Sequence, residues 1–202
     1  MLPLSCDANV LCVQDADIPV EKIKESGANL LVLNKKVGVA VVFNEVQDIL
    51  SAHLNFTRSS EILLDTLIHG KGVQHVVEIG CEILGNPVIV GDPGGKLIAQ
   101  AKGLLKDEPY WNKHLQKGYL SYEFIHRSNF KAVHEKVNKS ASPVLLKRAL
   151  NLKRNSIMGK IKVDNIIVAN LTVIEYERPF KKKDMELIAL LCDVISLHFY
   201  AM

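Results

Sequence analysis

Residues 86–99 read Asn86-Pro87-Val88-Ile89-Val90-Gly91-Asp92-Pro93-Gly94-Gly95-Lys96-Leu97-Ile98-Ala99. Two short apolar runs, 87–90 and 96–99, flank a loop made only of Gly, Asp and Pro. These residues set the dihedrals of tight turns, and the stretch predicts a β-hairpin. The glycines do not read as a phosphate loop, because no Gly-Lys-Ser/Thr follows and no helix opens behind them.

Upstream, Val73, Val76, Val77, Gly80, Cys81 and Leu84 form an i, i+3, i+4 stripe. It predicts a helix over 73–84, ended by Gly85, with close approach of a neighbour at Gly80 and Cys81. Before it, Asn44 caps a helical pattern through Val46, Ile49, Leu50 and His53, resumed at Ile62, Leu63 and Leu67. The polar stretch 55–60 predicts a break, and His69-Gly70-Lys71-Gly72 a stop. The two helices do not read as a DNA-binding pair. The second carries Glu78 and Glu82 and no Lys or Arg, the wrong charge for lying against phosphates. Residues 9–43 read as a small α/β segment. Strands are predicted at 10–13, 29–33 and 37–43, with a helix over 20–26 entered through Asp17-Ile18-Pro19 and closed by Gly27. The segment is too short for a core of its own.

Downstream, residues 103–141 mix aromatic and polar side chains, among them Tyr110, Trp111, His114, Tyr119, Tyr122, Phe124, His126, Arg127 and Phe130. Short helices are predicted here, one over 108–116. A long connection inside a compact domain usually carries function. Sheet character returns at 143–146. Residues 156–163 alternate, Asp164-Asn165 makes a tight turn, and 166–174 is an almost wholly apolar strand expected inside the sheet. A final helix is predicted over 183–199. Its stripe Ile188, Leu191, Cys192, Ile195 and Phe199 is joined by a second stripe, Leu187, Leu190, Val194 and Leu197. Two stripes imply burial on two sides.

The 202 residues suit one domain with an appendage or two small domains, and three segments are predicted: 1–44, a linking helix over 45–70, and a main domain over 71–202. No apolar run is long enough to span a bilayer, and no basic region precedes an apolar stretch at the N-terminus. Cys6, Cys12, Cys81 and Cys192 form no C-x-x-C and read as reduced thiols, which places the chain in the cytoplasm. The histidines lack ligand spacing, and neither a metal nor a cofactor is expected. Net charge is +3, and Lys181-Lys182-Lys183, the one tight basic cluster, reads as solvated surface. No direct contact with nucleic acid or membrane is expected.

The order of elements from Ile62 onward resembles a GAF domain. The closer resemblance is to the sensor segment of bacterial PucR/CdaR-type transcription regulators. It is carried by Ile62-Leu63-Leu64-Asp65-Thr66-Leu67-Ile68-His69-Gly70, by Ile83-Leu84-Gly85, by residues 86–99, and by Asp184-Met185-Glu186-Leu187-Ile188-Ala189-Leu190. It covers about two-thirds of the chain. The resemblance implies an α/β (α+β) fold, a GAF/PAS-like central antiparallel sheet flanked by helices, with the N-terminal α/β segment as an extension. Such regulators continue into a helix-turn-helix. None follows here before Met202, and the chain is read either as a sensor part or as a stand-alone homologue.

The function implied is a ligand-sensing regulatory domain holding a small-molecule effector between the sheet and the aromatic insertion. Tyr110, Trp111, Tyr119, Tyr122, His126 and Arg127 are the candidate ligand-binding residues, with Arg127 or Arg148 meeting an acidic group. The plainer alternative has Trp111, Tyr119 and Phe124 filling a sub-core under the loop. Two other functions stay open. One is a ligand-free dimerisation or interaction module, with a homodimer interface at Leu187, Leu190, Val194 and Leu197 and possible help from 45–68. The other is a GAF-fold enzyme such as free methionine sulfoxide reductase, which needs reactive cysteines near the pocket. Cys81 and Cys192 are expected on buried helix faces, and no catalytic residue is assigned.

Overall fold

The computed structural model describes residues 8–13, 20–33, 37–69, 72–127 and 129–200. The predicted helix entry Asp17-Ile18-Pro19, the stop at Gly70-Lys71 and Cys6 lie outside them. The chain divides into two compact units, Met1–Leu54 and Asn55–Met202.

In the first unit, β1 (Asn9–Val13) and β2 (Asn29–Leu33) pair in parallel from Asn9↔Asn29 to Val13↔Leu33, with α1 (Val20–Glu25) between them in sequence. The strands carry little burial, and Leu11, Leu31 and Val32 stay exposed. A two-stranded sheet has too little area to close a core.

The third predicted strand, 37–43, is a correction. The helix α2 (Val39–His69) begins there instead and runs for 31 residues. The Gly38 carbonyl accepts the N–H groups of Val41 and Val42, which opens the first turn. Of the apolar residues there only Val42 is buried, while Val39, Val41 and Phe43 are exposed. The β-branched composition misled, since propensity is a weak prior against context. The predicted break at 55–60 is also absent. The stretch holds no Gly or Pro, and Ser60 Oγ donates to the Phe56 carbonyl one turn back, so that hydroxyl is satisfied within the helix.

In the second unit, α3 (Gly72–Leu84) leads into the hairpin β3 (Val88–Gly91) and β4 (Leu97–Ala101). Asp92 Oδ1 accepts the Lys96 N–H at 2.8 Å and ties the loop. The insertion follows as α4 (Pro109–Lys117), α5 (Tyr122–Arg127) and α6 (Phe130–Lys139). Then come β5 (Val144–Leu146), β6 (Ser156–Val163), β7 (Ile166–Ile174) and α7 (Asp184–Tyr200). The strand order is β4-β3-β7-β6-β5, antiparallel at every step. β7 is central, as its apolar run requires. Asp164 and Asn165 join β6 to β7 with φ of 49° and 66°, the positive pair of a type I′ turn.

Strand alternation divides the sheet into two faces. Val88, Val90, Ile157, Ile161, Ala169, Leu171 and Val173 join the core with α3, α7 and Leu63 of α2. Ile89, Met158 and Ile174 join a second core with the insertion, around Trp111, Leu115, Phe124, Phe130 and Val137. Gly80 lets α3 approach α7, because a Cβ there would lie 2.6 Å from Leu191 Cδ2.

α7 is buried on two sides, but its second stripe is another correction. Leu187 and Val194 lie in the chain's own core, Leu190 is half-buried and only Leu197 is exposed. The cover comes from within the fold, where α3 packs on α7. Those four residues therefore do not form one free dimer face.

Candidate functional site

The sheet face toward the insertion is not wholly apolar. Asn170 and Thr172 stand two residues apart on β7 and share one face: Thr172 lies in a row with Met158 of β6 and Ile89 of β3, and Asn170 in a row with Lys160 of β6 and Gly91 of β3. Both polar side chains are buried. Opposite them, α4 presents Trp111, His114 and Leu115, and α6 presents Phe130 and His134. The stripe Phe130, Val133, His134, Val137 fixes which face α6 turns inward.

Between these layers lies a cavity of about 60 Å³. Ile89, Leu97, Leu115, Phe130, Leu150 and Met158 make its apolar wall, and Asp92, Gly95, Tyr119 and Leu120 line it as well. Gly95 sits at φ 86°, and a Cβ there would press on Leu120 at 2.9 Å. Leu150, also with positive φ, is locked by two hydrogen bonds: its carbonyl accepts Trp111 Nε1–H at 3.0 Å, and its N–H donates to Asn129 Oδ1 at 3.0 Å.

The polar lining is unusual in what it lacks. Both ring nitrogens of His114 are buried with no hydrogen-bond partner in the protein. Asn170 Nδ2 reaches His134 Nδ1 at 3.4 Å, and Asn170 Oδ1 has no partner. Either orientation of the carboxamide leaves one end unpaired. Burial lowers the pKa of His114, helped by the nearby charges of Lys113 and Lys117, and burial also lowers that of His134. Both shifts favour the neutral ring. Among the described lining residues no Lys or Arg appears, and Asp92 is the one carboxylate.

The candidate residues read from sequence divide. Trp111 and Tyr119 line the cavity. Trp111 is nevertheless committed to the fold, with its N–H on Leu150 and its ring edge-to-face with Phe124 at 6.0 Å. Tyr110, Tyr122 and His126 are exposed and line no part of this cavity, and Tyr110 lines a separate cleft of the insertion with Lys113, Glu123 and Lys153. Tyr122 and His126 stack on each other at 3.8 Å on the outer face of α5. The short α5 can turn only one side inward, and it turns in Phe124. The side chain of Arg127 lies outside the described residues. Arg148 lines a separate cleft with Lys153 and Arg154, so it meets no ligand in this cavity. His114, His134, Asn170 and Thr172 were missed. The signal was present: two polar residues at i, i+2 in the apolar run 166–174 must share a face.

Cys81 and Cys192 lie in the other core, across the sheet from the cavity. Burial raises both thiol pKa values, that of Cys192 to about 12. Among the described residues no cluster of His, Cys, Asp or Glu could hold a metal ion, and no helix is long and apolar enough to cross a membrane.

No protein-family model and no curated protein matches the chain. Solved structures do resemble it. The GAF domain of a phosphoenolpyruvate-protein phosphotransferase from Coxiella burnetii is 14% identical, with 73% of this chain and 94% of that chain covered and a TM-score of 0.52. The corresponding GAF domain from Acinetobacter is 10% identical, covering 72% and 93%, with a TM-score of 0.48. Free methionine-R-sulfoxide reductase from Neisseria meningitidis is 13% identical, covering 72% and 86%, with a TM-score of 0.45. The antiparallel sheet in the order β4-β3-β7-β6-β5, with helices on both faces, has the fold of a GAF domain.

Proposed function

We propose that this chain is a ligand-sensing regulatory domain, not an enzyme, and that it takes a small molecule in the cavity between β7 and the α4–α6 insertion. The observation that carries the reading is the set of buried polar groups, His114 and Asn170, that line the cavity with unmet hydrogen-bonding capacity. Burying such groups unpaired costs about 1–3 kcal/mol each, a cost that a bound molecule removes. Support against redox catalysis comes from the thiols. Cys81 and Cys192 are shielded, poorly ionised and on the far side of the sheet. Free thiols at Cys12, Cys81 and Cys192 suit the cytoplasm. The sequence resemblance to PucR/CdaR-type regulators makes transcription control the proposed setting. A thermal-shift screen of small metabolites tests the reading, since a molecule that binds only the folded state raises Tm. The expected hits lose their effect in Asn170→Leu. A hit that keeps its full effect in that variant binds elsewhere and overturns the site.

Assembly as a homodimer is proposed through α2 rather than α7. Phe43, Leu50 and Leu64 recur at multiples of seven residues, as do Leu54 and Ile68, and all five are exposed. The two series interleave as the a and d positions of a coiled coil. Light scattering should report a dimer that Leu54→Glu with Leu64→Glu converts to monomer. A monomeric wild type at high concentration overturns this.

A further inference from the structure

Resting on that reading of the cavity, we propose that its ligand is a small uncharged molecule with both a hydrogen-bond donor and an acceptor, of the primary-amide type, and not a carboxylate or phosphate. Charge comes first. Nothing cationic among the described residues lines the cavity, and Asp92 is the lining carboxylate. An anion brought here would lose its hydration and gain no opposite charge, while facing a like one.

Hydrogen bonding narrows the class further. Burial favours the neutral form of His114 and of His134, and a neutral imidazole offers one N–H and one bare nitrogen. Neither nitrogen of His114 has a partner. Asn170 has one end of its carboxamide engaged with His134 and the other unmet. The site therefore presents donor and acceptor functions together, and a molecule that only accepts leaves part of it unpaired. An amide edge, C=O beside N–H, complements both.

Size sets the last limit. Water needs roughly 10–15 Å³ of such volume, and a dry apolar cavity of about 150 Å³ holds benzene. About 60 Å³ fits a molecule of a few non-hydrogen atoms. The apolar wall of Ile89, Leu115, Phe130 and Met158 adds room for one or two methylene groups rather than a second polar end.

The test titrates the intact, isotope-labelled chain with propionamide and with propionate at about pH 7.5, above the ordinary histidine pKa. The two probes share shape and differ in charge and in the N–H donor. Side-chain NMR signals of Asn170, His114 and His134 report occupancy, and the Trp111 indole signal reports an intact fold. Propionamide is expected to shift the Asn170 and His114 signals saturably and to bind at least about tenfold more tightly than propionate. Asn170→Leu should abolish those shifts with the indole signal retained. The comparison of probes needs only the wild type, so a variant that fails to fold does not remove the test. Propionate binding as tightly as propionamide, at the same resonances, overturns the uncharged class and leaves the cavity as a ligand site. Neither probe moving any cavity resonance overturns both readings.

Discussion

The indole N–H of Trp111 donates to the backbone carbonyl of Leu150 at 3.0 Å, and Leu150 holds a positive φ of 56°. A non-glycine residue in the left-handed region costs about 1 kcal/mol or more and persists where its surroundings fix it. Trp111→Phe should leave that buried carbonyl unpaired and lower stability by about 1–3 kcal/mol. Urea denaturation followed by circular dichroism measures it. Unchanged stability would mean that Trp111 is a surface for ligand alone.

Gly80 and Leu191 form a tight pair across α3 and α7. Alanine at a helical glycine ordinarily gains about 0.5–1 kcal/mol. Here the added Cβ meets a fully buried side chain that has nowhere to go, and overpacking costs about 1–3 kcal/mol. Gly80→Ala is therefore expected to destabilise on balance. Combined with Leu191→Ala it should cost less than the sum of the two, and a double-mutant cycle reads that coupling.

The buried His114 and the half-buried His134 make stability depend on pH. Their folded pKa values are depressed, so the unfolded chain binds protons first as pH falls below about 6.5. Stability should be full above that value and decline on acidification through the window between the unfolded and folded pKa values. Asp193 acts oppositely at lower pH, because burial raises its pKa and protonation then favours the folded state. Tm measured against pH should flatten between about pH 7 and 5 in a His114→Phe, His134→Phe double variant. An equally steep profile in that variant would place the dependence elsewhere.

Thiol labelling in the folded protein should separate the cysteines. Cys12 is half-buried and should react readily, whereas Cys192, with its pKa raised to about 12, presents roughly one thiolate in ten thousand at pH 8. In a Cys6→Ser background the expected result is one fast site. Fast reaction at Cys81 or Cys192 would reopen the catalytic reading.

The sheet and its two layers were legible because each strand carries its own signal: the Gly-Asp-Pro loop after Val90, the Asp164-Asn165 turn, and the unbroken apolar run around Leu171. The start of α2 was not, since Val39, Val41 and Val42 favour strands locally and only the continued helical register decides otherwise. The site was half legible. Aromatic density pointed to the segment that lines the proposed cavity, but composition cannot show which way a short helix such as α5 faces. Tyr122 and His126 therefore stand outside while His114 and His134 stand within. The polar pair on β7 was the better clue, because a strand's alternation fixes direction where a six-residue helix does not.

Four hydrogen bonds converge on the fully buried side chain of Asn86. Its Oδ1 accepts from the N–H groups of Tyr176, Glu177 and Arg178, and its Nδ2 donates to the Arg178 carbonyl at 3.0 Å. An asparagine in such a post would usually be a clock, since attack of the following backbone nitrogen on its carboxamide yields a succinimide and then an acid. The following residue here is Pro87, which has no N–H to become that nucleophile. The proline that opens β3 thus also protects the joint from chemical ageing. The segment between β7 and α7 should keep its anchor through long storage, when exposed Asn-Gly or Asn-Ser bonds in other proteins have begun to convert.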